Sequence, residues 1–251
     1  MKTKEMREVF ESIQVKGKYA SSTGFTSSSL GATIHLILQG NNLVIFNGNT
    51  TFIARANISV AGEEDGTCTC DVLQILSYLK TFGESVVFQS ADFITLTSGN
   101  KKATVPYIIG HDTSIYNTIT QTLGLDTVAY EVSPTQTKVG KFSFEGIFSV
   151  TSDDFASCMQ SMELVKAGTY KLDFGENHEV KFSSRKSTEN RYEEVLTSVH
   201  SHGEPATIEF TSPIHKFFNK GQLLNFFVKD EFPILIMAND RLLLKAPSIS
   251  N

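Results

Sequence analysis

The sequence predicts an α+β protein built from two similar domains, each combining antiparallel strands with two short helices. The main observation is an internal repeat, because residues 70–109 and 211–247 both give a helix-like segment followed by three strand-like runs. Both repeats end on a strand stopped by proline, at Pro106 and at Pro247. A chain of 251 residues is long enough for two domains of ordinary size.

Four short segments carry apolar residues at the spacing of one helix face. The stripe of the first helix recurs in the second half at an offset of 149 residues, the interval from Met6 to Phe155. Asp71 or Thr69 is the candidate N-cap for the second helix, and Thr151 or Ser152 for the third. The four predicted stripes are Met6, Val9, Phe10 and Ile13; Val72, Leu73, Ile75, Leu76 and Leu79; Phe155, Cys158, Met159 and Met162; and Ile214, Phe217 and Phe218.

Strand-like runs fill most of the remaining chain. In the first half ATIHLILQ, NLVIF and TTFIARANISV are separated by Gly40-Asn41-Asn42 and Asn47-Gly48-Asn49, which indicate hairpin turns. Residues 110–141 are polar and rich in threonine and lack a clear period, which is typical of a connector. We therefore predict a first domain at 1–110, an interdomain connector at 111–140 and a second domain at 141–251.

Composition restricts the possible functions. The net charge of −5 argues against bulk coating of nucleic acid, so any contact with DNA must be local. No run of about 18 apolar residues is present and the N-terminus reads as a charged helix, so we expect no membrane association and a cytoplasmic location. Three cysteines fit a reducing compartment, and Cys68 and Cys70 are interpreted as alternating residues of a strand rather than metal ligands.

The sequence gives little support for catalysis. It contains no Gly-rich phosphate loop, no HExxH and no GxSxG. His200 and His202 could offer two metal ligands from one strand, but neither a third ligand nor a nucleophile is identifiable nearby, and two solvated histidines are the simpler interpretation. We expect no catalytic residue, no cofactor and no metal.

The repeated unit resembles that of the DNA sliding clamps, the processivity factors of replicative polymerases. In the first half the resemblance rests on NLVIFNGNTTFIARANISV followed by DVLQILSYLKTFGESVVFQSADFITLTSGNKKATVPYI, and its ANIS is similar to clamps of T-even-type phages. In the second half FSVTSDDFASCMQSM, ATIEFTSPIHKFF, DEFPILI and LLLKAP resemble the second domain of proliferating cell nuclear antigen and its archaeal relatives.

This resemblance implies a specific assembly. Two domains per chain imply a homotrimer whose six domains close a ring, with the sheets outside and the helices lining a pore around duplex DNA. The implied partners are double-stranded DNA bound without sequence preference, a DNA polymerase, a clamp loader and other copies of the chain. The implied source is a virus, in which case the location is the host cytoplasm.

The resemblance also implies two sets of contact residues. The helix faces counted as outward are only mildly basic, and the DNA-contact positions are Lys4, Arg7, Lys80, Lys216 and Lys220. The pocket that binds client peptides in cellular and archaeal clamps maps onto Phe46, Pro233, Ala246, Pro247 and Ile249.

Two alternatives stay open. The repeat could build two similar sandwiches in a β-rich viral structural or assembly protein that encloses no DNA. The chain could also be a hydrolase with a site around His200 and His202, which replacement of both histidines would test.

Overall fold

The computed structural model describes residues 1–14, 33–48, 51–90, 92–108, 121, 123–125, 128 and 132–248. The predicted α+β class is confirmed, because the described chain consists mainly of antiparallel sheets with three short helices. It divides into two compact units. The first holds described residues 1–14, 33–48 and 54–108, and the second holds 51–53 and the described residues from 121 onward. Much of the predicted connector at 111–140 lies outside the described residues, so the domain boundaries remain a prediction.

Among its described residues, the first unit contains two helices and two antiparallel groups of strands. One group has the strand order β3-β2-β1-β4 and the other β5-β6-β7. Register pairs Leu36 with Ile45 on one side and with Cys68 on the other. The elements are α1 (Thr3–Ser12), β1 (Thr33–Gln39), β2 (Asn42–Gly48), β3 (Phe52–Ser59), β4 (Gly66–Asp71), α2 (Val72–Leu79), β5 (Val87–Ser90), β6 (Ile94–Ser98) and β7 (Lys101–Val105).

Helices α1 and α2 form where the apolar stripes predict them. The α1 stripe from Met6 to Ile13 is buried throughout. Of the two candidate caps of α2, Asp71 is the one observed, since its Oδ1 accepts hydrogen bonds from the backbone N–H of Leu73 at 2.7 Å and of Gln74 at 3.4 Å. The assignment of Leu73 to the buried stripe is wrong. Leu73 is 38% exposed. It follows the buried Val72 by one helical step of about 100°, which places its side chain at the edge of the outer face.

Among its described residues, the second unit contains one α-helix and three antiparallel groups of strands, ordered β14-β10-β16-β17-β18, β13-β12-β11-β15 and β8-β9. Its strands are β8 (Lys138–Val139), β9 (Phe142–Ser143), β10 (Gly146–Thr151), β11 (Thr169–Phe174), β12 (Val180–Arg185), β13 (Arg191–Leu196), β14 (His200–Gly203), β15 (Ala206–Thr211), β16 (Leu223–Val228), β17 (Ile234–Met237) and β18 (Arg241–Lys245). Its helix is α3 (Ser152–Glu163), capped by Thr151, whose hydroxyl accepts from the Asp154 N–H at 3.1 Å.

Aromatic side chains form the core of the second unit. The Phe226 ring stacks on Phe148 with ring centres 4.8 Å apart, and Phe155 of α3 meets it edge-on at 5.1 Å. The Phe182 ring packs 5.5 Å from Phe155. These four side chains are fully buried and join α3 to both large sheets of this unit.

The prediction of a fourth helix is wrong. In its place lies a single 3-10 turn at His215–Phe217, flanked by Ile214 and Phe218. The turn ends because Phe218 adopts an extended backbone, and the Phe217 carbonyl accepts a hydrogen bond from the Arg241 guanidinium. The predicted apolar residues Ile214, Phe217 and Phe218 are nevertheless buried, so the pattern identified what is covered but not the length of the helix.

No helix in the described ranges has both the length and the hydropathy of a membrane span. Cys68 and Cys70 alternate along β4, as predicted, and the three cysteines are free thiols.

Candidate nucleic-acid interface

The outer face of α1 is electrically balanced. Lys4 Nζ lies 3.8 Å from Glu8 Oε1, and Arg7 Nε lies 3.8 Å from Glu11 Oε1. At the start of the helix Lys2 pairs with Glu5 at 3.2 Å. Each cation of this segment thus faces a carboxylate three or four residues later, so two predicted DNA contacts, Lys4 and Arg7, lie in a face with no net charge.

The position of α1 is fixed by the chain that follows α2. Thr3 N–H donates to the Glu84 carbonyl at 2.8 Å, and Val86 N–H donates to the Met1 carbonyl at 3.0 Å. The two helices also pack directly on one another. Lys80 directly follows α2 and is exposed, and no ion pair of Lys80 occurs within the described residues. The outer face of α2 also exposes Leu73 and Tyr78, at 38% and 39%, and is therefore partly apolar.

In the second unit, the loop after the 3-10 turn is bound to the start of α3. Gly221 N–H donates to Asp153 Oδ2 at 3.0 Å, and Gln222 N–H donates to Ser152 Oγ at 3.0 Å. The predicted contacts Lys216 and Lys220 are both exposed on this segment, and neither forms an ion pair with a described residue. Lys220, next to Gly221, therefore lies close to the acidic first turn of α3, which reduces the local positive potential.

A buried histidine directly precedes Lys216 in the 3-10 turn. His215 is 5% exposed, and its Nδ1 lies 3.9 Å from Glu163 Oε1 at the end of α3. Neither ring nitrogen has a hydrogen-bond partner among the described residues. Burial lowers the pKa of His215, and the Glu163 carboxylate opposes that shift only in part. The segment carrying Lys216 is thus supported by a neutral imidazole at pH 7.

The residues of the predicted peptide pocket belong to both units. Pro233, Ala246 and Pro247 are half-buried in the second unit, and the pairing of Ile234 with Lys245 brings Pro233 close to Ala246. Phe46 belongs to the first unit and is 1% exposed, so a ligand would reach it only after its covering side chains move. Ile249 lies outside the described residues.

Sequence reasoning missed an aromatic cluster next to Pro233. The Phe232 ring lies 5.6 Å from the ring of Phe142 and 5.9 Å from that of Phe144, and Lys229 Nζ lies 6.0 Å above it. Phe142 and Phe232 are half-buried. The cluster could have been suspected from two short segments, FSF and EFP. Each contains an aromatic residue at the end of a strand-like run rather than in its middle.

It also missed a buried cation. Lys245, next to Ala246, is 3% exposed, and burial lowers its pKa to about 8. Nothing in the run RLLLK distinguishes a buried lysine from one that ends a strand in solvent.

His200 and His202 are exposed on β14, a terminal strand of its sheet. Within the described part of the chain, no three histidine, cysteine, aspartate or glutamate side chains converge on one point. The ligand set that the hydrolase alternative needs is therefore not assembled there.

Comparison with known proteins gives a result only at the level of structure. No protein-family model matches the chain, and no curated protein sequence matches it significantly. The DNA polymerase III beta chain of Streptococcus pneumoniae superposes over 100% of this chain with a TM-score of 0.72 and 14% identity. The DNA polymerase sliding clamp of Bacillus subtilis does so with a TM-score of 0.73 and 12% identity. The chain has the fold of the DNA sliding clamps.

The matches differ in how much of the other protein is covered. The chain spans 64% of the length of both bacterial chains, which is less than two thirds. It spans 98% of A. fulgidus PCNA, a structure described with the C-terminal region of FEN-1 bound, with a TM-score of 0.70 and 10% identity. The fold is therefore similar over nearly the whole archaeal chain and over about two thirds of the bacterial ones.

Proposed function

We propose that this chain is the subunit of a ring-shaped sliding clamp that encircles duplex DNA and tethers a DNA polymerase and other clients. The observation that carries the proposal is the superposition of the entire chain on sliding clamps, including 98% of the archaeal PCNA chain. A tether of this kind needs no catalytic group. We assign its action to the cytoplasm, that of the host if the source is viral.

A homotrimer is the assembly that the proposal requires. The near-complete overlap with PCNA supports a two-domain subunit, and three such subunits supply six domains. Head-to-tail contacts between copies close into a ring of three when each copy is rotated by 120° from the last. Pairing between subunits would also cover strand edges that otherwise promote aggregation.

Two strand edges favour such pairing. Strand β7 ends the sheet β5-β6-β7, and β13 ends the sheet β13-β12-β11-β15, with no further described strand paired to either edge. β7 exposes Lys101 and Lys102, whereas β13 carries Glu193 and Glu194. Opposite charges on the two edges favour pairing β7 of one copy with β13 of the next over pairing of like edges.

Contact with DNA would come mainly from three lysines. Lys80, Lys216 and Lys220 are exposed and lack an acidic partner among the described residues, whereas Lys4 and Arg7 each face a glutamate. A ring that holds DNA topologically needs only weak attraction to phosphates, and such attraction decreases with salt. A clamp loader would open the ring to admit DNA.

Client peptides would bind around Pro233, Ala246 and Pro247, with Phe142 and Phe232 extending the apolar surface. Half-buried apolar side chains with aromatic neighbours suit the docking of a short peptide. Phe46 and Ile249 remain predicted members of this pocket.

The first test is the solution mass together with retention on DNA. Light scattering should give three times 27.7 kDa. On nicked circular DNA the loaded protein should resist high salt, and it should dissociate when the circle is cut, because only a closed ring depends on the DNA topology. A stable monomer with no topology-dependent retention would contradict the ring and favour the β-rich assembly protein.

The DNA contacts are tested by the double variant K216Q/K220Q. It should shorten retention and lower the salt dependence of binding, whereas K186Q, which removes a lysine from the β12–β13 turn, should not. Equal retention of both variants would show that Lys216 and Lys220 do not contact DNA. It would not contradict the proposal of a ring.

A further inference from the structure

The outer face of the sheet β13-β12-β11-β15 carries charged side chains in a regular grid. One row across the sheet contains Arg191 opposite Arg185, and the next contains Glu193, Ser183, Lys171 and Glu209. These side chains line a cavity of about 340 Å³, at the lower end of the range for small-ligand sites.

The lysines of this face are already neutralised. Lys171 Nζ lies 2.7 Å from Asp173 Oδ1, and Lys181 Nζ lies 3.1 Å from Glu193 Oε2. The remaining acid, Glu209, stands directly opposite Lys171 on the neighbouring strand. The middle of the cavity therefore holds charges of both signs in contact with each other.

The arginine row is different. Arg185 and Arg191 are directly opposite on antiparallel strands, and like charges in that arrangement are destabilising. Neither makes an ion pair with any residue in the described ranges, and the Nη2 atom of Arg185 donates only to Thr188 Oγ1 at 3.3 Å. Two guanidinium groups at one end of a cavity thus lack an anionic partner in the described part of the chain.

We propose that Arg185 and Arg191 form a binding site for a single phosphate group, which lies between the two guanidinium planes and cancels their repulsion. Arginine binds phosphate oxygens through two parallel N–H donors, so two arginines supply up to four charge-assisted hydrogen bonds. The hydroxyls of Thr169 and Ser183 line the same cavity and can donate to the remaining oxygens. The site lies on a sheet face, apart from the helix segments assigned to DNA, and does not depend on the clamp function.

The distribution of charge selects a compact anion over a polyanion. Asp173, Glu193 and Glu209 line the rest of the cavity and would repel a second phosphate. A nucleic-acid strand is therefore excluded by the same face that favours one phosphate. The phosphate could be the free ion or a phosphoserine of a bound protein, which have the same chemistry at the arginines.

The experiment measures Tm by circular dichroism in inorganic phosphate and in chloride of equal ionic strength. At a phosphate concentration about tenfold above Kd, we expect Tm of the wild-type protein to rise by about 3–5 °C. R185Q and R191Q should lose this rise, and K186Q, which makes the same charge change outside the cavity, should keep it. An equal rise in all four proteins would overturn the site.

A second measurement uses the repulsion itself. In chloride alone, R191Q should have a higher Tm than K186Q, because it removes one of two opposed like charges. A lower Tm would mean that Arg191 is satisfied within the protein, and the proposal would fail. Titrating a phosphoserine-containing peptide beside inorganic phosphate then distinguishes the source: a Kd at least tenfold tighter assigns a modified protein, and an equal Kd assigns the free ion.

Discussion

The Nδ1 atom of His215 lies 3.9 Å from the Glu163 carboxylate, and neither ring nitrogen of this buried histidine forms a hydrogen bond with any residue that the structure describes. The histidine is in the 3-10 turn that precedes Lys220 and the carboxylate is at the end of α3, so the pair joins the lysine-bearing segment to the helix. The distance is too long for a hydrogen bond. The pair therefore gives limited compensation for burying a charged imidazole.

Acid should destabilise the protein through His215. Burial lowers the pKa of His215, so below its ordinary value of about 6.5 the unfolded chain takes up a proton that the folded chain does not. Stability is therefore present above pH 6.5 and is lost as pH falls toward the lowered pKa. Urea denaturation between pH 7.5 and 5.5 should show a shallower pH dependence for H215F than for the wild-type protein.

The matched control for this prediction is H200F, at an exposed position on β14. It should leave the pH dependence as in the wild type. Identical slopes for H215F and the wild-type protein would show that other groups cause the acid sensitivity.

Replacing Lys245 by methionine should stabilise the protein at neutral pH. The folded chain at pH 7 keeps an ammonium group that burial disfavours, with a pKa of about 8 against an ordinary 10.5. K245M retains the packing and removes this charge, for an expected gain of about 1–3 kcal/mol. Between pH 8 and 10.5 the folded wild type loses its proton before the unfolded chain does, so wild-type stability should rise and the advantage of K245M should shrink.

Urea denaturation at pH 7 and pH 9.5 measures that difference. If K245M raised the free energy of unfolding by the same amount at both pH values, the cause would be improved packing and not the removal of a buried charge.

Removing the α2 cap should have a moderate effect on stability. D71A deletes the carboxylate that accepts from the N–H groups of Leu73 and Gln74, and the loss should be about 1 kcal/mol. D71N keeps an acceptor oxygen and should retain most of the stability. Thermal unfolding followed by circular dichroism would compare the two, and equal losses would assign the effect to charge rather than to the hydrogen bonds.

The aromatic core of the second unit should be sensitive to truncation. F226A removes the ring that stacks on Phe148 and meets Phe155, and we expect a loss of about 3–5 kcal/mol. The control is F93A, because Phe93 is 56% exposed and its removal should change the free energy of unfolding little. Comparable losses for the two variants would contradict the assigned core.

Neutralising the glutamates of α1 should strengthen binding to DNA if this helix faces the duplex. E8Q/E11Q frees Lys4 and Arg7 from their i,i+4 partners, which adds two net positive charges to the exposed face. Affinity for duplex DNA should rise and its salt dependence should become steeper. A fluorescence anisotropy titration at several salt concentrations tests this, and unchanged affinity would place α1 away from DNA.

The positions of the helices α1, α2 and α3, and of the caps of α2 and α3, could be predicted from the sequence, because they depend on periodicity and on side chains near each helix start. The buried stripes from Met6 to Ile13 and from Phe155 to Met162 follow from a 3.6-residue period, and the caps Asp71 and Thr151 follow from side chains that accept backbone N–H groups. The ion pairs of α1 were also readable from i,i+4 spacing. The fold class and the resemblance to clamps rest on these same regularities.

Only the tertiary structure decided how distant segments meet. The guanidinium of Arg241 on β18 donates a hydrogen bond to the Phe217 carbonyl, and the expected fourth helix is only one 3-10 turn. No local pattern in 211–219 predicts this long-range bond. The opposition of Arg185 to Arg191 depends on strand register, and the closeness of Pro233 to Ala246 depends on the β17–β18 pairing. Burial of Lys245 likewise follows from surrounding chain rather than from its neighbours in sequence. Periodicity specifies which face of an element is covered, whereas register and long-range hydrogen bonds specify which residues cover it.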